Sequence, residues 1–352
     1  MLKNLCFTVA ITLPLLADPK APANMVFIPG GTYTRGNEAK LGERAIYPEE
    51  APLNEVEVSP FFLDSHETTN AEFKKFVDAT DYKTQAERGW SQKDFPQAPP
   101  EALQPGALIF TSPGKKVALW QAGAEWQWWH FVSGASWKNP QGPGSNLTGK
   151  MDHPVVCVTY EDAKAYAKWV GKRLPTEAEW ERAARGGKEQ QIFIWGNEPK
   201  PEGKWMANVF TGSFPKEDSG ADGFAGTAPV KSFPANPYGL YDMAGNVWEF
   251  CSDRYRPDAY ALYLKNPKKD PTGPNVGQAV NQPMVDQFAQ NGRWPGPTYP
   301  KPHPLSILHV VRGGSFLCHD SYCLRYRPAA RHYSESLAPT NHTGFRCAKS
   351  IK

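Results

Sequence analysis

Tyr238-Gly-Leu-Tyr-Asp-Met-Ala-Gly-Asn-Val-Trp-Glu249 reads as a loop, and it sets Asp242, Asn246 and Glu249 around a glycine. Upstream, Asn208-Val209, Asp218 and Asp222-Gly-Phe224 offer the same mixture of amide, carboxylate and carbonyl oxygens. Hard cations such as calcium take six to eight oxygens of these kinds. Neither spacing is that of an EF-hand, and capped, solvated turns account for the same residues without an ion.

The composition fits a chain organised by loops. Of 352 residues, 30 are glycine and 34 proline, while aromatic residues make up 12%. That balance predicts one compact, irregular domain in which buried aromatics do much of the work of regular elements. The formal charge of +3, from 39 basic and 36 acidic residues, is spread along the chain without a basic block. Nucleic acid is therefore not an expected partner.

Met1-Leu-Lys-Asn4, the apolar run Leu5 to Leu16 and Ala17-Asp18 have the layout of a short signal peptide, so residues 1–17 are expected to direct export and residues 18–24 to form a linker. A periplasmic or secreted location follows, with the cytoplasm as the alternative. No other apolar run approaches the roughly 20 residues that span a bilayer, so no membrane is expected as a partner. Cys6 would leave with the leader. Cys157, Cys251, Cys318, Cys323 and Cys347 remain, an odd count that leaves at least one thiol unpaired or metal-bound in an exported protein.

Met25 to Gly36 reads as strand, glycine turn and strand, and Glu55 to Asp64 alternates as a further strand. Thr69 or Asn70 caps a helix through Val77. Residues 85–149 show no sustained period and read as a long ordered loop pinned by Trp126, Trp128, Trp129 and Trp137. His153 to Tyr160 is expected as a strand, Glu161 to Gly171 as a helix, and Leu174 to Gly186 as a second helix whose Thr176 and Glu179 have capping-box spacing. Glu177, Glu179 and Glu181 invite a catalytic reading, although cap and solvated-face roles are expected of them. Gly344 to Lys349 closes the chain as a strand. Asn146 and Asn341 each begin a glycosylation sequon, which matters only in a eukaryotic secretory pathway.

Val310-Val-Arg-Gly-Gly-Ser-Phe-Leu-Cys-His-Asp-Ser-Tyr-Cys-Leu-Arg-Tyr-Arg-Pro-Ala-Ala-Arg331 concentrates reactive side chains. Cys318 and Cys323 are five apart, which excludes one face of a strand but suits a loop or helical turn. Two thiols so placed could hold one soft metal ion or form a disulfide.

Taken together, Phe27-Ile-Pro-Gly-Gly-Thr, Gly171-Lys-Arg-Leu-Pro-Thr-Glu-Ala-Glu-Trp-Glu, Ile194-Trp-Gly-Asn, Tyr238 to Glu249 and Arg312-Gly-Gly-Ser resemble the formylglycine-generating enzyme (sulfatase-modifying factor) superfamily over about Met25 to Ile351. The resemblance implies an α+β fold, a single large domain of low regular secondary structure related to C-type lectins, spanning 25–352. The superfamily also contains iron-dependent sulfoxide synthases and non-catalytic binding paralogues, so the motifs alone do not name the chemistry. Cys318-His-Asp-Ser-Tyr-Cys-Leu-Arg-Tyr-Arg327 resembles the signature of the oxygen- and copper-dependent branch. Trp137 with Pro140-Gln-Gly-Pro143, and Asp222 to Pro229, also look closer to that branch.

That resemblance implies oxidation of the cysteine in a Cys-x-Pro-x-Arg segment of an unfolded sulfatase to Cα-formylglycine, with O2 and a thiol reductant. Cys318 and Cys323 would bind Cu(I); Ser315 and Trp248 would line the substrate or oxygen pocket; His319, Tyr322, Arg327 and His342 would contribute to substrate binding. For His319 a structural hydrogen bond is the competing reading. Two structural Ca2+ ions are implied, one at Asn208, the Val209 carbonyl, Asp222 and the Phe224 carbonyl, the other at Asp242, Gly245, Val247 and Glu249.

The chain also departs from its eukaryotic relatives. Of the four cysteines in their two disulfides it keeps only Cys347, with Ala167, Ala184 and Pro328 at the other positions. Cys157, Cys251 and Cys347 are expected as buried thiols, with pairing to Cys347 as the alternative. His342 stands where those relatives have an active-site asparagine, and Asp242 where they have an amide. An insertion of about thirty residues around 274–309 is expected to border the substrate groove, or else to be peripheral. A non-catalytic paralogue should lack one or both thiols, and a sulfoxide synthase would need a histidine-rich iron site.

Overall fold

The computed structural model describes residues 19–38, 47–93, 99–121, 123–264, 269–274 and 307–351. The leader-like residues 1–17, and most of the insertion around 274–309, lie outside the described residues. No helix among the described residues is long and apolar enough to cross a membrane.

The N-terminal part supplies β1 (Met25–Ile28), β2 (Gly31–Arg35), β3 (Asn54–Val58) and β4 (Phe61–Asp64). The single strand expected over Glu55 to Asp64 is two, because Ser59-Pro60 interrupts it and Pro60 has no amide hydrogen to donate to a ladder. β2 pairs with β3, while β4 lies between β1 and the C-terminal β13 (Ala348–Ser350). α1 (Asn70–Thr80) begins at Thr69, whose hydroxyl accepts from the Glu72 amide while the Glu72 carboxylate accepts from the Thr69 amide.

Residues 85–149 hold more order than their sequence suggested. α2 (Gln85–Arg88) is followed by a hairpin of β5 (Gly106–Phe110) and β6 (Trp129–Ser133). The hairpin has a long connection in place of a short turn signal, and β6 carries two adjacent exposed residues, His130 and Phe131, which hid its period. Trp128 and Trp137 are buried as expected, whereas Trp126 is exposed.

His153 to Tyr160 is not a strand. Its amides bond outward to Thr68 and Thr340 carbonyls, and Cys157 takes a positive φ of 57°, which breaks an extended run. The buried valines here pack from an irregular segment. α3 (Tyr160–Trp169) and α4 (Glu177–Arg185) form as predicted, capped by Thr159 and Thr176. A short β7 (Gly212–Ser213) and β8 (Glu217–Asp218) hairpin follows.

The central sheet comprises β9 (Trp248–Arg254), β10 (Leu308–Arg312), β11 (Arg331–Glu335) and β12 (Thr343–Gly344), in the order β11-β10-β9-β12; α5 (Ala259–Tyr263) lies between β9 and β10 in the chain. The expected closing strand from Gly344 to Lys349 is thus split between β12 and β13, and these join two different sheets. In the register Val311↔Phe250 and Arg312↔Glu249, successive residues point to opposite faces. One face carries Trp248, Phe250 and Val311, packed with Trp137, Phe345 and Cys318. On the other, Cys251 and Val310 pack with Trp180 of α4, and Glu249 pairs with Arg346.

That second face corrects the expectation for the helix carboxylates. Glu179 completes the capping box with Thr176 and bonds Arg173, and all three carboxylates, Glu177 and Glu181 most fully, are buried, not solvated. Arg312 and Arg331 bond Glu177, and Arg312 and Arg185 bond Glu181. Burial would raise the Glu181 carboxyl, yet Arg185 and Arg312 hold it at about 2.

Candidate active site

The cysteine loop leaves the sheet at Arg312. Gly313 and Gly314 take φ of 91° and 76°, and a Cβ on Gly314 would stand 2.9 Å from the Tyr326 amide nitrogen. Only glycine fits that approach, and it turns the chain so that Ser315 and Phe316 enter the core. The Phe316 amide donates to the Asn246 carbonyl, the Cys318 carbonyl accepts from the Phe210 amide, and the Cys323 amide donates to the His319 carbonyl. The last bond closes a single helical turn from His319 to Cys323.

That turn brings Cys318 Sγ and Cys323 Sγ to 2.7 Å, and neither is in a disulfide. The separation exceeds the roughly 2.05 Å of a disulfide bond. Burial, with Cys323 beside it, raises the Cys318 thiol well above its ordinary range. Burial also acts to raise Cys323, but the hydrogen bond from Cys318 and the Arg325 guanidinium bring it down to about 7. Arg325 is fixed from outside: it bonds Glu49 at 2.8 Å and stacks 3.5 Å over the Tyr47 ring, whose hydroxyl accepts from the Leu324 amide. Arg325 Nε is buried with no hydrogen-bond acceptor, as is Trp137 Nε1. Two sulfurs on a tight turn, one inclined to thiolate, with Trp248, Trp137 and Phe345 around them, form a donor set that fits a soft monovalent ion.

Ser315 is fully buried and its Oγ accepts from the Leu317 amide, so its hydroxyl proton remains to be donated. Trp248 lies on the sheet face toward Cys318. Tyr322 stacks on Phe214 with centroids 4.7 Å apart and contacts Trp120 and Trp128. His342 Nδ1 bonds Thr340 Oγ1, its ring lies against Trp129, and burial depresses it to about 3. His319 Nδ1 bonds Ser321 Oγ at 2.7 Å, the local structural bond that competed with a binding role. Its ring nonetheless lines, with Cys318, Asp320, Phe210 and Trp205, a cavity of about 460 Å³.

Arg327 is a correction. Its guanidinium is fully buried, donates to both oxygens of Glu50 and to the Leu324 carbonyl, and has no free face for substrate. Arg325, Tyr47 and Glu49 were missed as site residues. Only the Arg-Tyr-Arg spacing pointed toward the first, and nothing in the local sequence pointed to the other two.

The two loops read as calcium sites adjoin. Asn208 bridges Gly245, the Asn246 amide donates to the Asn208 carbonyl, and a Cβ on Gly245 would fall 2.1 Å from that oxygen. Asp222 accepts from the Val209 and Phe224 amides, which ties the two segments together, and burial raises its carboxyl. Asp242 accepts from the Lys231 amide and is pushed up to about 6 by burial. Glu249 is not free, being held by both Arg346 and Trp180 Nε1. Nearby Glu67, on Asn246 and Val247, is raised by burial and then by Asp242 and Glu249. This excess of buried negative charge fits a cation supported by amide and carbonyl oxygens. Among the described residues no three His, Cys, Asp or Glu side chains alone form a metal-holding group. Cys157, Cys251 and Cys347 are free, buried and in three separate packing clusters, as expected.

The sulfatase-modifying factor enzyme 1-like domain matches residues 15–351, nearly the whole chain. This chain belongs to the formylglycine-generating enzyme family. It is 42% identical over 339 residues to the formylglycine-generating enzyme of Thermomonospora curvata, covering 96% of each. It is also 42% identical over 235 residues to the inactive C-alpha-formylglycine-generating enzyme 2 of Bos taurus, covering 66% of this chain and 71% of that one. The structure of PvdO from Pseudomonas aeruginosa superposes with a TM-score of 0.58 at 24% identity, over 93% and 94% of the two chains. That likeness carries the fold, one domain of the formylglycine-generating family with few regular elements.

Proposed function

We propose that the chain is an enzyme that activates sulfatases by converting the cysteine of a Cys-x-Pro-x-Arg segment into Cα-formylglycine, using Cu(I), O2 and a thiol reductant. The observation that carries this reading is the Cys318–Cys323 pair at 2.7 Å, one thiol depressed to about 7, on a glycine elbow beside Trp248 and Ser315. A non-catalytic relative has no evident need for both thiols.

Cys318 and Cys323 would hold the copper ion, which supplies a soft centre for the substrate thiolate and for electron transfer to O2. Arg325 stabilises negative charge on sulfur at Cys323. Trp248, Phe345 and Trp137 exclude water around the sulfurs. Ser315 Oγ accepts from the Leu317 amide and keeps its O–H available as a donor. In balance, one substrate cysteine thiol, one O2 and two reductant thiols give an aldehyde, hydrogen sulfide, water and one disulfide. The substrate cysteine loses two electrons and two hydrogens, one from carbon and one from sulfur, to become a thioaldehyde; the reductant supplies two more electrons to O2, and water then replaces sulfur by oxygen.

The same reading gives the chain two structural calcium ions, at Asn208, Val209, Asp222 and Phe224 and at Asp242, Gly245, Val247 and Glu249. They would neutralise the buried carboxylates and tie down loops that lack helix or sheet bonds.

The test is to incubate copper-loaded protein with a Cys-x-Pro-x-Arg peptide, O2 and a thiol, following peptide mass and aldehyde. Aldehyde is expected. Folded, copper-bound protein that leaves the peptide unchanged overturns the reading.

A further inference from the structure

The sheet face that carries Trp248 also carries a histidine with nothing to bond. His332 lies opposite Val311, and Val311 opposite Phe250, so the three form a row across β11, β10 and β9 on one face. Trp248, two residues from Phe250, shares that face, and its ring centroid is 5.6 Å from that of His332. Trp248, Phe250 and Val311 belong to the cluster that holds Cys318, with Cys323 packed against it. His332 is thus joined through the Trp248 ring to the cluster that packs the cysteine pair, with the Tyr333 ring 4.7 Å away.

Its polar atoms are the unusual part. His66, His153, His309, His319 and His342 each have Nδ1 tied to a nearby oxygen. The half-buried His332 has neither ring nitrogen in a hydrogen bond among the described residues. A half-buried imidazole that bonds no described group is satisfied by water and keeps both nitrogens available to a ligand that displaces it. Burial, then the charge of Arg325, keeps the ring neutral, with one nitrogen a donor and the other an acceptor. Arg325 is close enough to act on His332 and places a positive charge beside it, which is unsuited to the arginine of the substrate. Main-chain N–H and C=O groups flanking the substrate cysteine suit a neutral ring that has one donor and one acceptor.

We propose that His332 is a substrate-contacting residue, whose free ring nitrogen hydrogen-bonds the main chain flanking the substrate cysteine and holds it against Trp248. The inference rests on the reading of the Cys318–Cys323 pair as the place where a polypeptide cysteine is oxidised.

Two measurements separate the inference from that reading. The first is binding of a fluorescent peptide with serine in place of the reactive cysteine, followed by anisotropy and independent of turnover. The second is kcat and KM on the cysteine peptide. His332→Phe keeps a ring against Trp248 and removes the hydrogen bond; His332→Asn keeps a donor and an acceptor. The Phe variant is expected to bind roughly three- to tenfold more weakly, the Asn variant to recover part of that loss, and the loss to fall on KM rather than kcat. A Phe variant that binds the serine peptide as tightly as the unaltered protein, at an unchanged melting temperature, overturns the contact. So does an unaltered protein that binds no peptide. If the unaltered protein binds the peptide, the variants weaken it as stated and no aldehyde forms, the contact stands and the oxidase reading fails.

Discussion

Arg312 Nη2 lies 2.6 Å from Glu181 Oε2, and both side chains are fully buried. The pair ties α4 to the strand end from which the cysteine loop departs, and Arg312 also serves Glu177 and the Pro328 carbonyl. Arg312→Met would leave Glu177 and Glu181 short of compensating charge in a buried setting. It should cost about 3–5 kcal/mol in urea unfolding, and aldehyde formation per folded molecule should fall because the elbow loses its anchor.

Cys318→Ser and Cys323→Ser should each abolish turnover and lower copper content, measured by metal analysis of the folded protein. Cys347→Ala removes a buried sulfur that bonds no other cysteine. It should retain turnover and cost about 1–2 kcal/mol of stability. Equal activity in all three variants would sink the assignment.

Asp253 gives a pH signature of definite sign. Burial, with Glu177 beside it, raises its carboxyl to about 7 in the folded state. A carboxyl raised on folding favours the fold below its unfolded value near 4, and that contribution is lost as pH rises through 7. Asp253→Asn should therefore flatten the decline in urea midpoint between pH 5 and pH 8. Glu181, held at about 2, acts oppositely: its contribution is present above about 4 and is lost only as pH falls through 2. A decline of unchanged steepness in Asp253→Asn would refute this account.

Calcium should raise the melting temperature and a chelator should lower it, since an ion that binds only the folded chain adds about 2.7 kcal/mol at a hundred times its Kd. Asp222→Ala, which unties the Val209 and Phe224 segments, should reduce that calcium response. An identical melting curve with calcium and with chelator would remove both proposed ions.

Local chemistry made α1 and α4 legible through the caps at Thr69 and Thr176, whereas the Thr159 cap of α3 lay within a stretch read as strand. The thiol spacing likewise pointed to a loop or helical turn between Cys318 and Cys323. The β5–β6 hairpin and the Pro60 break were harder: a strand with exposed neighbours loses its period, and a short break within an alternating run does not. Glu177 and Glu181 were misread since their partners Arg312 and Arg331 lie more than a hundred residues away. His332 went unnoticed for the same reason, as its place beside Trp248 exists only once β9, β10 and β11 are aligned.

The alternation along β9 and β10 has an evolutionary consequence. Odd and even positions of the same short strands answer to different masters, one set to chemistry and the other to the ionic scaffold. On the proposed function, substitutions on the Trp248 face would retune which polypeptides are accepted while leaving Arg312 and Glu249 in place. A single inserted or deleted residue in β10 would exchange the two sets at once. Lineages of this fold should therefore diversify by point replacement inside these strands and tolerate changes of length only outside them.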